Sequence, residues 1–565
     1  MNLQITAKKS SFSLAGFSFV VIVAAAVIFA RLGSFPLFNP DEALYAEPAR
    51  EMLEIGDYVT TYLNYVIRFT KPPLVIWAMA FFIQVFGVSE FAVRFFGASC
   101  GVALVGATYA AASRYFGTTA AIIAGLSLVT APLFVGTARE AITDMPLALF
   151  MACAQLAFFR GFESSSPRFS YLGWVMVGLA VMTKGPVGLI LPMAILFGYH
   201  LLRGDLKEAF KRYKVIWGLL IVALIAVPWF AVEIYVTKGA YYQEFIVREN
   251  FQRFTANVDA HKQPVWYHLA AMFVGFMPFA IYLPQALWRF LIKCRNMVIM
   301  TLSAGKDTKT RYEFVTTYLR QMSIPQSLLF YCAIWSIGTL VFFSMSVSKL
   351  LPYTLPAFPA LSLIICAAID NSIKTKHFRN LAFPLLLLVL VYGGCGFAAP
   401  LITGRLRDAP PELVSQAVDF VKFSAGSTFV AIILLRLYKM KAAMIFFAAA
   451  SCLGLTYYAM RIIPIVSNKW EGPLTGLSRY AGESKLPIIV YEMRKPGVPF
   501  YARRKVENIN GQDVLKARLS GLKEAYVLTK AKQVSSVTAL AGTKLQCQDG
   551  DFALLYYGPL VDSKH

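Results

Sequence analysis

The sequence carries little charge for its length. Only 15% of its 565 residues are Asp, Glu, Lys or Arg, whereas an ordinary soluble domain has about a quarter. Apolar residues make up 57% of the chain, and its mean hydropathy is +0.58. This composition excludes a soluble globular protein and predicts an all-α polytopic membrane protein.

Acidic residues are the scarcer charged type, with 31 Asp and Glu against 54 Lys and Arg, for a net charge of +23. A strongly basic chain can indicate nucleic-acid binding. Here the Lys and Arg residues cluster in short loops between apolar runs, which is how a membrane protein encodes its orientation. The charge therefore argues for a bilayer and against nucleic acid as the partner.

Metal-binding motifs are also scarce. The eight cysteines form no CxxC pair, and the chain has no HExxH motif. Neither a tight zinc site nor a disulfide framework is predicted, and no metal ligand is assigned. The one metal prediction is a single divalent ion held by one or two carboxylates near Asp41.

Apolar runs long enough to cross a bilayer are plentiful, and they predict about thirteen transmembrane helices. The first run, residues 12–31, is long enough to span and no A-x-A site follows it, so we interpret it as an uncleaved helix. Residues 74–87 are shorter and follow Lys71-Pro72-Pro73. If residues 74–87 lie at the interface, every strongly basic short loop falls on the cytoplasmic side.

This alternation of sides predicts a cytoplasmic N-terminus. It puts the first loop, residues 32–90 with interfacial helices, on the extracytoplasmic side together with residues 136–146, 182–186, 238–266, 346–353 and 400–424. These segments carry charged and aromatic residues beside Gly and Pro. Gathering such residues on one membrane face indicates an extracytoplasmic active site.

The last hundred or so residues lack the long apolar runs of the rest of the chain. Residues 1–463 are predicted to form the transmembrane domain, and residues 464–565 a small periplasmic α/β domain of about four or five strands. Residues 486–493, LPIIVYEM, alternate as a strand does, and turn signals follow at Pro496-Gly497.

The polar segment 38–73 is the leading candidate for chemistry. Asp41 and Glu42 open a helical pattern that closes at Gly56, and acidic residues at a helix start are also favoured by the helix dipole alone. Their place just outside a span, with Arg50 and Lys71 in the same loop, favours a general base beside an anion site. Lys71 could equally be a lysine that reaches the interface.

Other cations lie in the segments predicted to share that face. Arg139 and Asp144 flank one turn and suit either an ion pair or a direct role. Five or six cations converging on one face favour a substrate that bears a phosphate. The further candidates are Lys184, Arg248, Arg253, His261 and Lys349.

Several motifs, in consistent order from about residue 15 to 460, resemble the bacterial C-type membrane glycosyltransferases of the aminoarabinose transferase and protein mannosyltransferase superfamily. They are PDEALYAEPAREMLEIGDY, FTKPPLVIWAM, FAVRFFGA, TAREAITDMPLALF, VMTKGPVGLILP, RENFQRF with HKQPVWYH, and SVSKLLPYTLPAFPAL. The resemblance implies a C-type glycosyltransferase fold and a sugar donor linked to polyprenyl (undecaprenyl) phosphate.

The resemblance also implies residue roles. Asp41 matches the catalytic aspartate of the first periplasmic loop, and Lys71 matches the lysine at the carrier phosphate. Arg248, Arg253 and Lys349 fall in stretches that match the lining of the carrier cavity. The supporting residues are Glu42, Tyr45, Arg50, Arg139, Asp144, Lys184, His261 and Tyr353.

Two positions depart from the aminoarabinose transferases. Leu44 stands where those enzymes tend to have Arg, and Thr70 stands where they have a Glu that binds metal. The expected function is inverting sugar transfer to an extracytoplasmic acceptor, with lipid A or another envelope glycolipid preferred. The alternatives are a protein O-mannosyltransferase and, from another class, a flippase or transporter of lipid-linked sugars.

Overall fold

The computed structural model describes residues 12–69, 71–252, 263–304, 307–403 and 410–559. The chain divides into two compact units. The first takes in residues 1–30, 70–74 and 97–460, and the second takes in residues 31–69, 75–96 and 461–565.

Helices dominate the described residues. In chain order the α-helices are α1 (Leu14–Phe29), α2 (Ala43–Ile55), α3 (Leu74–Phe86), α4 (Glu90–Phe116), α5 (Thr118–Val129), α6 (Pro132–Ala138), α7 (Asp144–Ser164), α8 (Pro167–Lys184), α9 (Val187–Arg203), α10 (Leu206–Arg212), α11 (Val215–Val236), α12 (Tyr267–Gly275), α13 (Leu283–Ala304), α14 (Thr308–Arg320), α15 (Ile324–Met345), α16 (Phe358–Lys374), α17 (Phe378–Thr403), α18 (Pro411–Arg436), α19 (Met440–Tyr457), α20 (Ile463–Glu483), α21 (Gly497–Ala502), α22 (Gln512–Ser520) and α23 (Val534–Thr538). Tighter or wider helical turns cover Tyr242–Gln252, Phe279–Tyr282, Leu351–Ala357, Tyr458–Ile462 and Ala531–Gln533.

Eight helices in the described ranges are long and apolar enough to cross a membrane. The number rises to 10 if each of two sharply bent pairs, α5 with α6 and α12 with α13, counts as one span. The chain is therefore a multi-pass membrane protein, as its composition predicts. The number thirteen stays a prediction.

The surface of α11 shows what surrounds the helices. Ile216 and Leu224 are 71% and 67% exposed, and Trp217 between them is 61% exposed. Large apolar side chains exposed in a row along a helix are unfavourable in water but suit contact with lipid chains.

One predicted loop is wrong. Residues 400–424 were expected to connect two spans outside the membrane, yet α17 continues to Thr403 and α18 begins at Pro411. Proline is well suited to the first turn of a helix, because its missing N–H would have no helical partner there. The polar stretch after Pro411 is thus the first half of a longer helix.

Contacts within the first unit define its two ends. Lys184, which ends α8, binds Asp144, which begins α7. Helix α11 runs parallel to α8, because Gly218 lies against Trp174 and Gly178 lies against Ile225. The segment after α11 therefore lies at the Lys184 end too, and Lys71 binds Glu249 there. We call this the lysine end: the end of the first unit that carries Lys71, Asp144, Lys184 and Lys349.

The opposite end gathers the basic connections between helices. Arg212 donates to the carbonyl of Phe162 at 2.7 Å, and Arg320 donates to the carbonyl of Arg203 at 2.9 Å. Within the first unit, the two sets of loops separated by the loop-charge argument thus lie at opposite ends. Which end faces the cytoplasm stays a prediction.

The second unit begins with the first polar loop. Helix α2 ends at Gly56, whose φ of 78° is a left-handed helix cap, as the sequence predicts. A hairpin of β1 (Tyr62–Leu63) and β2 (Val66–Ile67) follows. Its turn residues Asn64 and Tyr65 have φ of 56° and 59°, the conformation of a tight two-residue hairpin turn.

The tail of the second unit is an α/β fold, as predicted. Its five-stranded sheet has the order β4-β3-β5-β7-β6. Strand β3 is parallel to β4 and β5, whereas β7 is antiparallel to β5 and β6. The strands are β3 (Ile488–Tyr491), β4 (Glu507–Ile509), β5 (Ala525–Lys530), β6 (Thr543–Asp549) and β7 (Phe552–Tyr557).

Both faces of this sheet are covered. Ile488 and Val490 point to one face, where they pack with Leu477 of α20. Ile489 and Tyr491 point to the other, where Leu519 of α22 packs. Alternate residues of a strand face opposite sides, so a run that is apolar throughout needs cover on both. The domain boundary predicted at 463/464 stays a prediction. The last segment of the second unit starts at Arg461.

Candidate active site

Arg94, near the start of α4, organises the backbone that leads to Asp41. Its side chain is fully buried, and its Nε and Nη2 donate to the two carboxylate oxygens of Glu42 at 2.8 and 2.7 Å. Nη1 donates to the carbonyls of Leu32 and Phe35, both at 2.9 Å, and Nη2 also donates to the Pro36 carbonyl at 2.9 Å. The five N–H groups of one guanidinium thus all have acceptors. We call residues 32–42 the Arg94 segment.

The adjacent carboxylates Asp41 and Glu42 differ in role. Glu42 is 0% exposed, and its carboxylate also accepts the Phe38 N–H at 2.9 Å. Asp41, one residue earlier, is exposed. Glu42 therefore neutralises Arg94 and fixes the backbone, whereas Asp41 is an exposed residue of the same fixed segment.

The C-terminal part of the second unit holds the same segment. The Leu37 N–H donates to the Tyr501 hydroxyl at 2.7 Å, and the Ser467 hydroxyl donates to the Pro36 carbonyl at 2.9 Å. The Asn39 side chain donates to Glu471 at 3.0 Å and accepts the Gly497 N–H at 2.7 Å. Residues beyond 466 thus help to position Asp41.

Helix α2 carries a buried ion-pair cluster behind this segment. Arg50 donates to both oxygens of Glu47 at 2.8 Å and also pairs with Glu54. The Glu51 carboxylate accepts the Tyr65 N–H at 3.1 Å. Burial, reinforced by the neighbouring Glu47, raises the pKa of Glu51 to about 8. Arg50, predicted as a supporting site residue, therefore ties α2 to its own carboxylates.

The side chain of Arg68 contacts the backbone at Leu44. Arg68 donates to the Leu44 carbonyl, and its guanidinium lies 5.5 Å from the centre of the Tyr45 ring. The position where the related enzymes tend to have Arg thus lies beside an arginine that comes from the end of the hairpin. This contact places Tyr45, a predicted supporting residue, against a cation.

At the lysine end, Lys71 binds a carboxylate that the sequence does not single out. Its Nζ is 3.3 Å from Glu249 Oε2 and 5.9 Å from the centre of the Phe245 ring. Arg248, the neighbour of Glu249, instead pairs with Glu244 at 3.1 Å on an exposed surface. In the sequence, Glu249 stands out only as part of the RENFQRF motif.

A second lysine links several predicted residues. Lys184 Nζ is 2.7 Å from Asp144 and 4.7 Å from the centre of the Tyr353 ring. The Tyr353 ring in turn stacks with the His268 ring at 6.2 Å. Asp144 therefore pairs with Lys184 rather than serving as the partner of Arg139.

Arg139 instead binds backbone. It is 1% exposed, and its Nη1 donates to the carbonyls of Val27 and Ile28 at 3.3 and 2.8 Å. Its Nη2 donates to the Ala459 carbonyl at 3.4 Å. These contacts tie the ends of three helices together, which is a structural role.

Several buried polar atoms at the lysine end have no hydrogen-bond partner among the described residues, and His268 Nδ1 and Ser348 Oγ are two of them. His268 is 0% exposed and Ser348 is 1% exposed. Next to Ser348, the buried Lys349 donates to the Ser346 carbonyl at 2.7 Å. Buried polar atoms are normally bonded, so exceptions indicate a place where a ligand or water binds. Sequence reasoning missed His268, although it closes the HKQPVWYH motif.

Two predicted site residues, Arg253 and His261, lie outside the described residues, as does Thr70. In the part of the chain that is described, no group of three or more His, Cys, Asp or Glu side chains is placed to hold a metal ion. Glu42, the carboxylate next to Asp41, is already bound to Arg94. The single divalent ion predicted near Asp41, held by one or two carboxylates, stays a prediction.

Comparisons with known proteins identify a family and several relatives. The family described as dolichyl-phosphate-mannose-protein mannosyltransferase matches residues 70–231. An uncharacterized protein of Aquifex aeolicus is 30% identical over 376 residues, which cover 66% of this chain and 68% of that one. The undecaprenyl phosphate-alpha-4-amino-4-deoxy-L-arabinose arabinosyl transferase of Aeromonas salmonicida is 28% identical over 61% of this chain and 58% of its own length.

Among solved structures, ArnT from Cupriavidus metallidurans bound to undecaprenyl phosphate superposes with a TM-score of 0.80 at 23% identity. The match covers 96% of this chain and 98% of that chain. Together with the helical first unit and the small sheet of the second, it defines the C-type fold of membrane glycosyltransferases.

The chain belongs to the bacterial C-type membrane glycosyltransferase superfamily that includes the aminoarabinose transferases and the protein mannosyltransferases.

Proposed function

We propose that the protein transfers a sugar from undecaprenyl phosphate to an acceptor on the extracytoplasmic side of the bacterial inner membrane. Lipid A or another envelope glycolipid is the preferred acceptor, because curated relatives such as that of Aeromonas salmonicida are named for aminoarabinose transfer. One observation carries the assignment within this chain: Arg94 binds Glu42, while the neighbouring Asp41 stays exposed.

In the proposed reaction, Asp41 orients the acceptor hydroxyl and takes its proton as the acceptor oxygen attacks the anomeric carbon. The bond from that carbon to the carrier phosphate oxygen breaks, and undecaprenyl phosphate leaves as a monoester. Attack from the opposite face inverts the anomeric centre. A general base contributes about 100- to 10,000-fold to such a step. An acceptor that is itself an ionised phosphate needs orientation only.

The leaving phosphate gains negative charge as the bond breaks, so cations around it lower the barrier. Lys71 is the proposed ligand of the carrier phosphate, and Arg248, Arg253 and Lys349 are proposed to support it. The further candidates are Lys184, Tyr353 and His261. The pairing of Lys71 with Glu249 at 3.3 Å supports this role, since one carboxylate holds the direction of the ammonium.

A direct test compares Asp41→Asn with the unchanged protein in vesicles that contain a carrier-linked sugar and an acceptor. We expect transfer to fall at least about 100-fold while the melting temperature changes little, because Asp41 is exposed. Asp513→Asn, at an exposed aspartate of α22, is the matched control and should keep full activity. Undiminished transfer by the Asp41 variant would end the proposed role of Asp41, whereas no transfer by the unchanged protein would favour a flippase, which moves the lipid-linked sugar without transferring it.

The acceptor is identified by mass spectrometry of lipid A and envelope glycolipids from cells with and without the gene. A sugar mass lost from a lipid in the deletion strain supports the glycolipid acceptor. A mass lost from an envelope protein instead would make the enzyme a protein O-mannosyltransferase.

The proposed orientation has the N-terminus in the cytoplasm and the C-terminal domain in the periplasm. Val66→Cys is in the exposed hairpin, and Lys207→Cys is in exposed α10. We expect an impermeant thiol reagent added to intact spheroplasts to label the first and spare the second, with the unchanged chain as background. Labelling of both from one side would overturn the orientation.

A further inference from the structure

One cavity of the first unit lies away from the lysine end. It has a volume of about 820 Å³ and is lined by the last turns of α4 and α7 and the first turns of α8 and α15. Helix α7 starts at Asp144 in the lysine end, and its lining residues, Cys153 to Glu163, follow 9 to 19 residues later, a rise of about 14 to 28 Å. The cavity is therefore separate from the site already described.

Most of the cavity wall is apolar. Leu156, Phe159, Leu172 and Ile324 line it, and Leu172 is 44% exposed on the outer surface. The volume lies within the range of about 300–1,000 Å³ that is usual for ligand pockets. Between helices that face lipid, such a wall suits an acyl chain rather than a soluble metabolite.

Two arginines stand at the polar end of the cavity, Arg114 and Arg160. Glu163 is the acidic residue in the lining, and it accepts the Tyr115 hydroxyl at 2.7 Å and lies 3.9 Å from Arg114. Arg160 has no carboxylate within ion-pair distance among the described residues; its guanidinium lies 4.0 Å from the centre of the Phe169 ring. The positive charge of Arg160 therefore has no acidic partner in the cavity lining.

Two residues that line this cavity each have a buried polar atom with no hydrogen-bond partner in the described ranges: Arg160 Nε and Ser113 Oγ. Ser113 is 1% exposed. A serine inside a helix commonly bonds to the carbonyl one turn earlier, and Ser113 does not. Two donors in the cavity wall thus lack an acceptor within the described chain.

We propose that this cavity binds a membrane phospholipid with a monoanionic phosphodiester head group. The phosphate accepts from Arg160 Nε and Ser113 Oγ and neutralises the charge of Arg160, while one acyl chain lies along the apolar wall. Charge-assisted bonds to phosphate are strong, and arginine suits them geometrically. The site does not depend on the proposed transfer reaction.

The test is native mass spectrometry of the delipidated full-length protein, titrated with phosphatidylglycerol or with phosphatidylcholine of the same acyl chains. We expect one phosphatidylglycerol to bind at least about tenfold more tightly than phosphatidylcholine, because the choline ammonium offsets the phosphate charge that would otherwise neutralise Arg160. Arg160→Gln should remove that preference. Arg295→Gln, at an exposed arginine outside the cavity lining, should keep it.

Ala111→Leu provides a second variant, because Ala111 lines the cavity and a larger side chain fills the space of the acyl chain. It should weaken the binding of both lipids, and it decides the matter if Arg160→Gln fails to fold. Equal affinity of the two lipids, or binding unchanged in Ala111→Leu, would overturn the proposal. Displacement of the lipid by millimolar inorganic phosphate would show that the site takes the free ion instead.

Discussion

In the Arg94 segment one buried guanidinium has an acceptor for each of its five N–H groups, whereas at the lysine end His268 Nδ1 and Ser348 Oγ are buried without a partner among the described residues. Both regions carry candidate site residues. In the first region the guanidinium of Arg94 binds groups of the Arg94 segment itself. In the second region the two buried polar atoms have no partner among the described residues.

This difference separates scaffold from binding surface. A fully satisfied buried network specifies one geometry, which suits a segment that must present Asp41 in a fixed place. A buried polar atom with no partner destabilises the fold, and a ligand that bonds to this atom removes the penalty. This contrast supports the proposed roles, with positioning by the Arg94 segment and ligand contact at the lysine end.

The largest effect is expected from Arg94→Met. The change leaves the Glu42 carboxylate buried without its cation and three carbonyls without donors. Removing one partner of a buried ion pair costs about 3–5 kcal/mol, so the purified variant should melt at a clearly lower temperature. Arg518→Met, at the exposed ion pair with Glu507, is the control and should leave the melting temperature unchanged. If both variants melt alike, the Arg94 segment is not a scaffold.

A second, smaller effect concerns pH and extends the comparison to α2. The pKa of Glu51 is about 8 in the folded protein against an ordinary value of 4.5. The unfolded chain loses this proton first, so stability falls as pH rises from about 4.5 to about 8. Glu51→Gln has no proton to lose and should flatten this fall.

The measurement is the melting temperature of both proteins at about pH 5 and about pH 8, where the difference should favour the variant at the higher pH. Glu54→Gln is the control, because pairing with Arg50 lowers the pKa of Glu54 and its loss cannot remove the fall. A fall that persists in Glu51→Gln would assign the pH dependence to another group.

The smallest effect compares two buried serines. The Ser467 hydroxyl donates to the Pro36 carbonyl at 2.9 Å, so Ser467→Ala should destabilise the protein by about 1 kcal/mol. Ser348→Ala breaks no hydrogen bond of Oγ among the described residues and should cost nothing. In the transfer assay we expect the reverse order of sensitivity, with Ser348→Ala the slower enzyme. Equal stability loss in both variants would remove the distinction between the two regions.

Much of this molecule could be predicted from sequence. Apolar runs indicated the spans, Gly56 marked the end of α2, and residues 486–493 marked a strand of the terminal sheet. Such features are local, because hydrophobic periodicity and glycine conformation act over a few residues. The superfamily was also accessible, because its motifs are contiguous.

The partners of charged side chains could not be predicted. In the sequence, Glu42 and Asp41 are adjacent carboxylates in the same polar segment. The structure shows that Glu42 binds Arg94, which is more than fifty residues away. Lys184 and Asp144 were separate candidates, and Glu249 was not singled out as the partner of Lys71. Ion pairs are set by tertiary packing, for which a single sequence provides no distance. The long helix α18 was missed for a related reason: its first half is too polar to be recognised as part of a span.

The second unit combines segments of the chain that the ribosome synthesises at widely separated times. The Leu37 N–H and the Asn39 side chain find their partners in Tyr501, Glu471 and Gly497, which are synthesised several hundred residues later. At bacterial elongation rates this interval is on the order of tens of seconds. The loop bearing Asp41 therefore stays incomplete until the C-terminal residues have been made, so a chain that ends early can insert its helices and still lack a finished active-site loop.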